Sequence, residues 1–524
     1  MNRFAPAAAI LAATLLLVPL AHAKTFRWAS QGDILTMDPH SQNEALNNGV
    51  LADVYETLVT RDKQLKVVPL LAVSWTQPKP AVWRFVLRKD VKFHDGTPFT
   101  AEDVVFSIQR AQAPSSNFQI YTQGIDKVRK IDDYTVEIET RGPNPVLLDQ
   151  LTELRVMSKA WAEKHKVTAP QNFIQKEETY SARNANGTGP YMLKSRETDV
   201  RTVFVVNPNW WGKREGNVTE VIYTPVKADA TRVAALLSGE LDFVLDPPPQ
   251  DIARLKSNAS LRVLEGNEYR TIFLGMDQHR DELLYSDVKG RNPFKDKRVR
   301  QAIYHAIDED AIQKNVMRGL ALPTGSIVAP QVRGYSKELD KRLAYDKEKA
   351  KKLLAEAGYP NGFEVTLDCP NNRYINDERI CQAVAGMLAQ VGIRVKLNAM
   401  PRATYFPKIQ KFDTSMYLLG WGVPTFDALY SLQSLARTVG PGGDGNFNLG
   451  RYSNPQMDAR VERIKTETDR GIRDRIIGEA LAIHNEDVAH VPLHHQVIPW
   501  AMRSNVSAVH RADNRVTMNW VTVK

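Results

Sequence analysis

The spacing of apolar residues between positions 363 and 419 predicts three strands separated by two helices. The predicted strands are residues 363–367, 392–397 and 416–419, and the predicted helices are residues 377–388 and a short one that ends at residue 409. Each connection is long enough for one crossover helix, which indicates parallel strands in a βαβαβ unit. The region is therefore predicted to be part of an α/β domain.

The segment that follows the last of these strands combines an aromatic side chain with a carboxylate. Residues 417–430 read YLLGWGVPTFDALY, in which Trp421 follows the break at Gly420 and Asp427 is the only acid. Open α/β sheets bind ligands beyond the carboxyl ends of their strands. This position allows two interpretations of Trp421, a wall of a binding cleft or a core residue before an ordinary surface loop. For Asp427 the pattern allows two interpretations, a ligand contact or the N-cap of a short helix.

Similar patterns predict the remaining elements. Thr100 is followed by an acid at position 103 and is expected to cap a helix that runs to about residue 111. The other predicted strands are residues 25–30, 83–87, 91–93, 241–245 and 269–276, with an extended segment at 490–502. The other predicted helices are residues 43–58, 229–237, 298–307 and 350–357, and two within 455–485 that separate near residue 470.

The first 23 residues predict a signal peptide. A short basic start precedes an apolar run and the small-residue cleavage pattern Ala21-His22-Ala23, so the mature chain is expected to begin at Lys24. No later segment reaches the ~18 apolar residues that span a bilayer. The mature chain is therefore expected to be exported.

Charge and chemistry-bearing residues exclude several functions. The net charge is +9, but the basic residues are dispersed, so we expect no nucleic-acid partner. No nucleophile, nucleotide-binding or metal motif is present, and His494 and His495 would point to opposite faces of a strand. We therefore expect no enzymatic activity, no cofactor and no metal site. Cys369 and Cys381 are placed to form a disulfide or to remain two buried thiols, and we favour the thiols.

Several ordered motifs resemble a known family. They are AVSWTQPKPAVWRFVLRKDVKFHDGTPFTAEDVVFSIQRA (residues 72–111), GTGPY (187–191), NPNWWG (207–212), ADATRVAALLSGELDF (228–243), DKRVRQAIYHAI (296–307), YDKEKAKKLLAEAG (345–358) and PLHHQVIPWAMRSNV (492–506). This set is similar to the extracellular solute-binding proteins of the peptide/nickel family (family 5), which are the receptors of ATP-driven (ABC) importers.

The resemblance implies a two-lobed α/β fold of the type II periplasmic-binding-protein (Venus-flytrap) class. Mixed sheets and an extra subdomain in the first lobe are implied with it. The expected boundaries are the signal peptide at 1–23, lobe I at 24–272, lobe II at 273–490 and a return to lobe I at 491–524. Such a receptor closes on its ligand by hinge bending.

The resemblance also suggests which residues bind the ligand. Dipeptide-binding relatives have an amine-binding acid three residues after the tryptophan, but here that position is Pro424; Asp427 matches a second acid of the loop. Arg379 matches by offset the region of a carboxylate-binding arginine, and Arg373 is its competitor; the alternative is a solvated arginine on the helix face, paired with Glu378 or Asp377. Tyr374 is expected in the same crevice as Trp421.

The implied function is a periplasmic receptor that binds di- or oligopeptides and delivers them to the membrane permease subunits of an ABC importer. The protein is expected to be a monomer. Pro424 keeps other ligands open, namely a nickel chelate, haem, an oligosaccharide or an opine-like conjugate. A periplasmic chaperone-like protein that holds peptides is the alternative of another class.

Overall fold

The computed structural model describes residues 24–524, which form two lobes with an extra subdomain in the first lobe. The predicted signal peptide, residues 1–23, lies outside the described residues. Among residues 24–524, no helix has the length and apolar character needed to cross a membrane. The predicted fold class is confirmed.

The strands of the described chain are short except for two. Their bounds are β1 (Thr25–Ser30), β2 (Val59–Arg61), β3 (Val67–Pro69), β4 (Ala72–Lys79), β5 (Val82–Leu87), β6 (Ile125–Asp132), β7 (Thr135–Thr140), β8 (Tyr191–Glu197), β9 (Arg201–Val206), β10 (Glu220–Pro225), β11 (Phe243–Leu245), β12 (Leu261–Met276), β13 (Ala321–Pro323), β14 (Phe363–Pro370), β15 (Ile393–Met400), β16 (Met416–Trp421), β17 (Val491–Arg503), β18 (Val506–Ser507) and β19 (Thr522–Val523).

The α-helices lie between these strands. Their bounds are α1 (Ala45–Leu51), α2 (Ala101–Ala111), α3 (Gln119–Thr122), α4 (Leu147–Leu151), α5 (Lys159–Lys164), α6 (Tyr180–Arg183), α7 (Asp229–Ser238), α8 (Ile252–Lys256), α9 (Lys297–Ala306), α10 (Glu309–Ala311), α11 (Lys347–Glu356), α12 (Asp377–Ala389), α13 (Arg402–Ile409), α14 (Ala428–Ser431), α15 (Pro455–Thr466) and α16 (Arg470–Asp487).

One continuous sheet runs through both lobes. Its strand order is β15-β14-β16-β12-β17-β11-β1-β10-β9-β8, and β13 adds to β17. The long strands β12 and β17 pair with each other antiparallel along most of their length. One part of β12 pairs with β16, and β17 pairs with β11. These two strands therefore connect the lobes. The exact lobe boundaries stay a prediction.

The predicted βαβαβ unit is confirmed. Strand β14 pairs in parallel with β15 and with β16, and α12 and α13 are the crossovers. The apolar residues of β14, β16 and α12 form one buried core with those of α9 and α11. The helix pair α15 and α16 separates where predicted, because Asp469 caps α16 by accepting a hydrogen bond from the Ile472 amide.

The extra subdomain consists of a four-stranded sheet and the helix that covers it. The order is β4-β5-β7-β6, and α2 packs on β6 and β7. The predicted cap of α2 is confirmed, since the Thr100 hydroxyl accepts from the Glu102 amide and Asp103 accepts from the Thr100 amide. The predicted strand at 91–93 is wrong: only Lys92 forms a bridge, with Pro98.

The helix predicted at residues 43–58 is much shorter and ends at Leu51. Beyond it the buried carboxylate of Asp53 accepts hydrogen bonds from the amides of Met518 and Asn519, near the C-terminus. Gly187 and Gly189 pack against the same backbone, where an added Cβ would lie 1.9 Å from the Val54 carbonyl oxygen at Gly187 and 2.4 Å from the Asp53 carbonyl oxygen at Gly189. These long-range contacts hold the chain in turns, so helical spacing alone overestimated the element.

The two cysteines form a disulfide, which corrects the expectation of two free thiols. Cys369 lies near the end of β14 and Cys381 lies in α12, with a Cα–Cα distance of 6.6 Å. That separation lies within the range that a disulfide spans without moving the backbone. The bond ties α12 to the strand whose end enters the cleft.

Candidate functional site

The ends of several parallel strands meet between the two lobes. From lobe I, β1 ends at Ser30 and β11 is followed directly by Asp246. From lobe II, β14 leads to Arg373 and β16 ends at Trp421. The carboxyl ends of parallel strands are where open α/β sheets bind ligands. This convergence defines the candidate site.

Two adjoining cavities occupy this region. The outer cavity measures about 50 Å³ and is lined by residues that include Asn43, Glu44, Tyr374, Trp421, Pro424 and Tyr430. The inner cavity measures about 20 Å³ and is lined by residues that include Ser30, Asp246, Asn372, Arg402, Gln496 and Asn514. Ala45, Arg270 and Arg373 line both. These volumes are smaller than a dipeptide needs, so ligand entry requires the lobes to separate.

The outer cavity has an aromatic wall. The rings of Trp421 and Tyr430 stack with centroids 5.0 Å apart, and Tyr430 stacks on Tyr121 at 5.4 Å. The Tyr430 hydroxyl accepts hydrogen bonds from the Tyr121 hydroxyl and the Asn43 amide. Tyr121 and Asn43 belong to lobe I and the other two residues to lobe II, so this stack spans the cleft. Trp421 lines the outer cavity and also belongs to the buried core, and its contact with a ligand stays a prediction.

Two arginines of lobe II meet a glutamate of lobe I beside this wall. Arg373 Nε lies 2.6 Å from Glu44 Oε1, and Arg402 Nη1 lies 3.3 Å from Glu44 Oε2. All three side chains are at most 10% exposed. Burial by itself would raise the pKa of Glu44, but the guanidinium groups of Arg373 and Arg402 outweigh it and lower the pKa to about 2. Glu44 is therefore ionised at neutral pH and joins the lobes.

Several buried donors of this cluster have no aligned acceptor among the described residues. They are Arg373 Nε, whose close contact with Glu44 is out of line for a hydrogen bond, Arg402 Nε and Nη2, and Trp421 Nε1. Buried polar groups in proteins are rarely left without a partner, because the desolvation penalty is about 1–3 kcal/mol for each. Guanidinium N–H groups that lack an aligned acceptor, beside an aromatic wall, are suited to bind a carboxylate.

The two other arginines that line the outer cavity, Arg270 and Arg515, are paired with acids. Arg270 Nε donates to both carboxylate oxygens of Glu268, at 3.0 and 3.1 Å, and Arg270 Nη1 donates to the Gly420 carbonyl. The guanidinium of Arg515 is paired with Glu153 at 2.7 Å. At Gly420 an added Cβ would lie 2.7 Å from the Tyr374 ring, so only glycine allows Tyr374 to pack there.

Asp427 does not line either cavity. Its carboxylate accepts from the Leu429 amide and so caps α14. The same carboxylate forms two hydrogen bonds of 2.7 Å with Arg473 of α16, and Arg333 lies 3.4 Å away. Of the two interpretations open to Asp427, its position fits the N-cap. Its acceptor capacity is used within lobe II, which anchors the loop that carries Trp421.

The two candidate arginines have different positions. Arg379 is exposed on α12 and lines neither cavity, so the offset match with relatives did not place it in the cleft. Arg373 lines both cavities, and Tyr374 lies beside it with its hydroxyl 3.3 Å from the Gly420 carbonyl. Asp377, the first residue of α12, accepts from the amides of Arg373 and Tyr374 and so fixes the loop before the helix, whereas Arg379 lies on the exposed side of α12.

Sequence reasoning missed Glu44, Arg402 and Asp246. Glu44 lies at the start of the helix predicted at residues 43–58 and reads as an ordinary helix-start acid, a role that it does fill by accepting from the Asn47 amide. Arg402 follows a proline at the start of a short helix. The available signal was topological, since Asp246 directly follows β11 and Arg402 lies two residues after the end of β15.

Metal ligands are not grouped in the described chain. Residues 24–524 contain no set of three or more His, Cys, Asp or Glu side chains arranged to hold a metal ion. His484 and His490 contact each other at 3.0 Å, and His494 instead contacts Glu309 at 2.7 Å. Within residues 24–524, neither cavity is lined by a histidine.

Comparisons with known proteins agree with this architecture. The model for bacterial extracellular solute-binding proteins, family 5 Middle, matches residues 66–443. The glutathione-binding protein GsiB of Salmonella paratyphi A is 27% identical over 496 residues, which covers 92% of this chain and 91% of GsiB.

Solved structures share the fold at lower identity. The periplasmic binding protein DppA of Helicobacter pylori, in complex with the peptide STSA, is 24% identical with a TM-score of 0.84, covering 96% of this chain and 98% of DppA. The protein AgaA of A. tumefaciens R10, in complex with agropinic acid, is 24% identical with a TM-score of 0.83, covering 95% and 99%. The chain therefore belongs to the family 5 extracellular solute-binding proteins, which are the substrate receptors of ABC importers.

Proposed function

We propose that this receptor binds small peptides, or peptide-like conjugates, that carry a free carboxylate, and that it delivers them to its permease. The observation that carries the proposal is the buried pair of Arg373 and Arg402, whose guanidinium groups keep unaligned N–H donors between the lobes. The names of relatives support it, since GsiB is described as glutathione-binding and DppA was solved with a peptide.

In this proposal the ligand carboxylate lies against Arg373 and Arg402, and its apolar portion packs on Trp421 and Tyr430. Charge-assisted hydrogen bonds of this kind keep their strength when water is excluded. Closure of the lobes would then bury the ligand. A dissociation constant of about 1 μM corresponds to about 8 kcal/mol, which one buried arginine pair and a few amide contacts can supply.

The export route and the assembly are also part of the proposal. The signal peptide would be cleaved after Ala23. The mature chain would act in the periplasm as a monomer, with lobe I at 24–272, lobe II at 273–490 and a final segment at 491–524 that returns to lobe I. The family consists of receptors rather than enzymes, and release of an unaltered ligand to the permease is the expected outcome.

An acidic conjugate of opine type is the second candidate. Four arginines, Arg270, Arg373, Arg402 and Arg515, line the outer or inner cavity. Arg270 and Arg515 are paired with Glu268 and Glu153, so a second carboxylate of the ligand would share these arginines with their partners. AgaA, which shares the fold, was solved with agropinic acid.

Mass spectrometry of small molecules released by denaturing freshly purified protein tests both candidates. Isothermal titration calorimetry with glutathione, Met-Leu and agropinic acid then ranks them. Arg402→Gln is expected to weaken binding of a carboxylate ligand at least about tenfold, because one charge-assisted contact contributes about 1.5–3 kcal/mol.

Two exposed arginines provide matched controls. Arg379→Gln lies on α12, and Arg394→Gln replaces an arginine on β15 that is 57% exposed and pairs with Asp287. Both should leave affinity within about twofold of the wild type. The site would be contradicted if Arg402→Gln bound every ligand with the affinity of the wild type. A large loss of ligand affinity in Arg379→Gln would contradict it as well.

A further inference from the structure

The wall of the inner cavity contributed by lobe I carries hydrogen-bond acceptors. Asp246 lies directly after β11, and Gln496 lies in β17. The opposite wall carries the guanidinium groups of Arg373 and Arg402. The two walls therefore differ in chemistry, with acceptors from one lobe facing donors from the other.

These acceptors have spare capacity. Among the described residues only Asn514 donates to the Asp246 carboxylate, at 3.0 and 3.2 Å, although an ionised carboxylate accepts up to about four hydrogen bonds. Gln496 uses its Nε2 to donate to Glu268 at 2.8 Å, which leaves its Oε1 buried and without a donor in the described chain. Both groups line the same small space.

The charges around the cavity balance only when Asp246 is ionised. Glu268 neutralises Arg270, and Glu44 is shared between Arg373 and Arg402. One guanidinium charge of this pair is therefore without its own counter-ion, and Asp246 supplies the remaining negative charge. A ligand group that fits without disturbing this balance carries one positive and one negative charge close together.

We propose that the inner cavity binds the free α-amino acid head of the ligand, with Asp246 and Gln496 accepting from its ammonium group and the arginine pair binding the adjacent carboxylate. This inference rests on the proposed function and specifies its substrate class. It also accounts for Pro424, which lines the outer cavity: the amine is bound on the lobe I side of the inner cavity, so the loop after Trp421 needs no acid.

The ionisation of Asp246 provides an independent readout. Burial raises its pKa, Glu268 raises it further, and Asn514, Arg373 and Arg270 partly offset them, which leaves the pKa at about 7. Arg402 is the other charged residue of this cavity. An ammonium group binds the ionised form. Ligand affinity should therefore rise with pH. At pH 6, where about a tenth of Asp246 is ionised, affinity should be about tenfold lower than at pH 8.

Calorimetry with four related probes tests the head group. They are glutathione, in which the γ-linkage leaves an intact α-amino acid head; the α-linked isomer Glu-Cys-Gly; glutaryl-Cys-Gly, which lacks the amine; and Met-Leu. The wild type is expected to bind glutathione at least about tenfold more tightly than glutaryl-Cys-Gly and than the α-linked isomer. Asp246→Asn should bind glutathione and glutaryl-Cys-Gly within about twofold of each other and lose the pH dependence.

The control variant is Asp251→Asn, five residues further along the chain at the end of a 3-10 helix and outside both cavities, which should retain the preference and the pH profile. If the wild type binds glutaryl-Cys-Gly or the α-linked isomer as tightly as glutathione, the inference is overturned and the proposed function still stands. Binding of Met-Leu and of none of the other three probes would also overturn the inference and leave the proposed function standing. Wild type that binds none of the four probes would overturn both. If Asp246→Asn fails to fold, the wild-type ligand series and pH profile still decide.

Discussion

Replacing Asp427 distinguishes an anchoring role from a ligand contact. The Asp427 side chain is 1% exposed and its carboxylate makes two 2.7 Å hydrogen bonds to Arg473, which is itself 4% exposed. Asp427→Ala would leave the buried guanidinium of Arg473 without its counter-charge, which typically destabilises a protein by about 3–5 kcal/mol. It would also remove the cap of α14, worth about 1 kcal/mol.

Because the same carboxylate makes both sets of contacts, the two losses overlap, and we expect a total of about 3–5 kcal/mol. A lobe of this size loses about 2–4 °C of melting temperature for each kcal/mol. Differential scanning calorimetry should therefore show the unfolding transition lowered by about 6–20 °C. Denaturation by urea would give the free energy of unfolding directly.

Two further variants isolate the pair. Arg473→Ala combined with Asp427→Ala should destabilise less than the sum of the single variants, by about 1–3 kcal/mol, because neither charge is then left alone. Glu479→Ala removes a partner of Arg460 on the same helix pair, at 3.3 Å but 44% exposed, and should cost less than about 1 kcal/mol. An unchanged melting temperature for Asp427→Ala together with tenfold weaker ligand binding would refute the anchoring role and restore the ligand contact.

Two more predictions concern the hinge and the disulfide. Glu44→Gln removes the charge that pairs with Arg373 and Arg402 of the other lobe. The variant should therefore open the cleft and enlarge the radius of gyration of the ligand-free protein in small-angle X-ray scattering, whereas the exposed control Glu240→Gln should not. Since the pKa of Glu44 is lowered to about 2, the interlobe ion pair in the wild type should persist below pH 4.5 and be lost only as the pH falls toward 2. Denatured, unreduced protein should show no free thiol, and Cys369→Ser with Cys381→Ser should cost about 3 kcal/mol of stability; a free thiol count of two would refute the bond.

The opposite walls of the cleft suggest how recognition and closure are coupled. Lobe I supplies Glu44 and Asp246, and lobe II supplies Arg373 and Arg402. A ligand with both charges can bridge the lobes only when they approach. Its differential affinity for the closed form would then shift the population toward closure.

The order of elements could be predicted from the sequence because local patterns reflect local burial. The apolar runs of β14 and β16 reflect burial on both faces, the apolar spacing of α12 reflects burial on one face, and the same pattern puts Trp421 at a strand end. The cap at Thr100 needs only residues three positions apart.

Partners that are far apart along the chain were decided by the tertiary structure. Glu44 meets Arg373 and Arg402 across more than 300 residues, and Asp427 meets Arg473 across 46. A sequence pattern shows that a charged side chain is present but not which opposite charge packing will bring to it. For the same reason the sequence proposed Asp427 and Arg379 as candidates for the site, and only the convergence of strand ends from both lobes identified Glu44, Arg402 and Asp246.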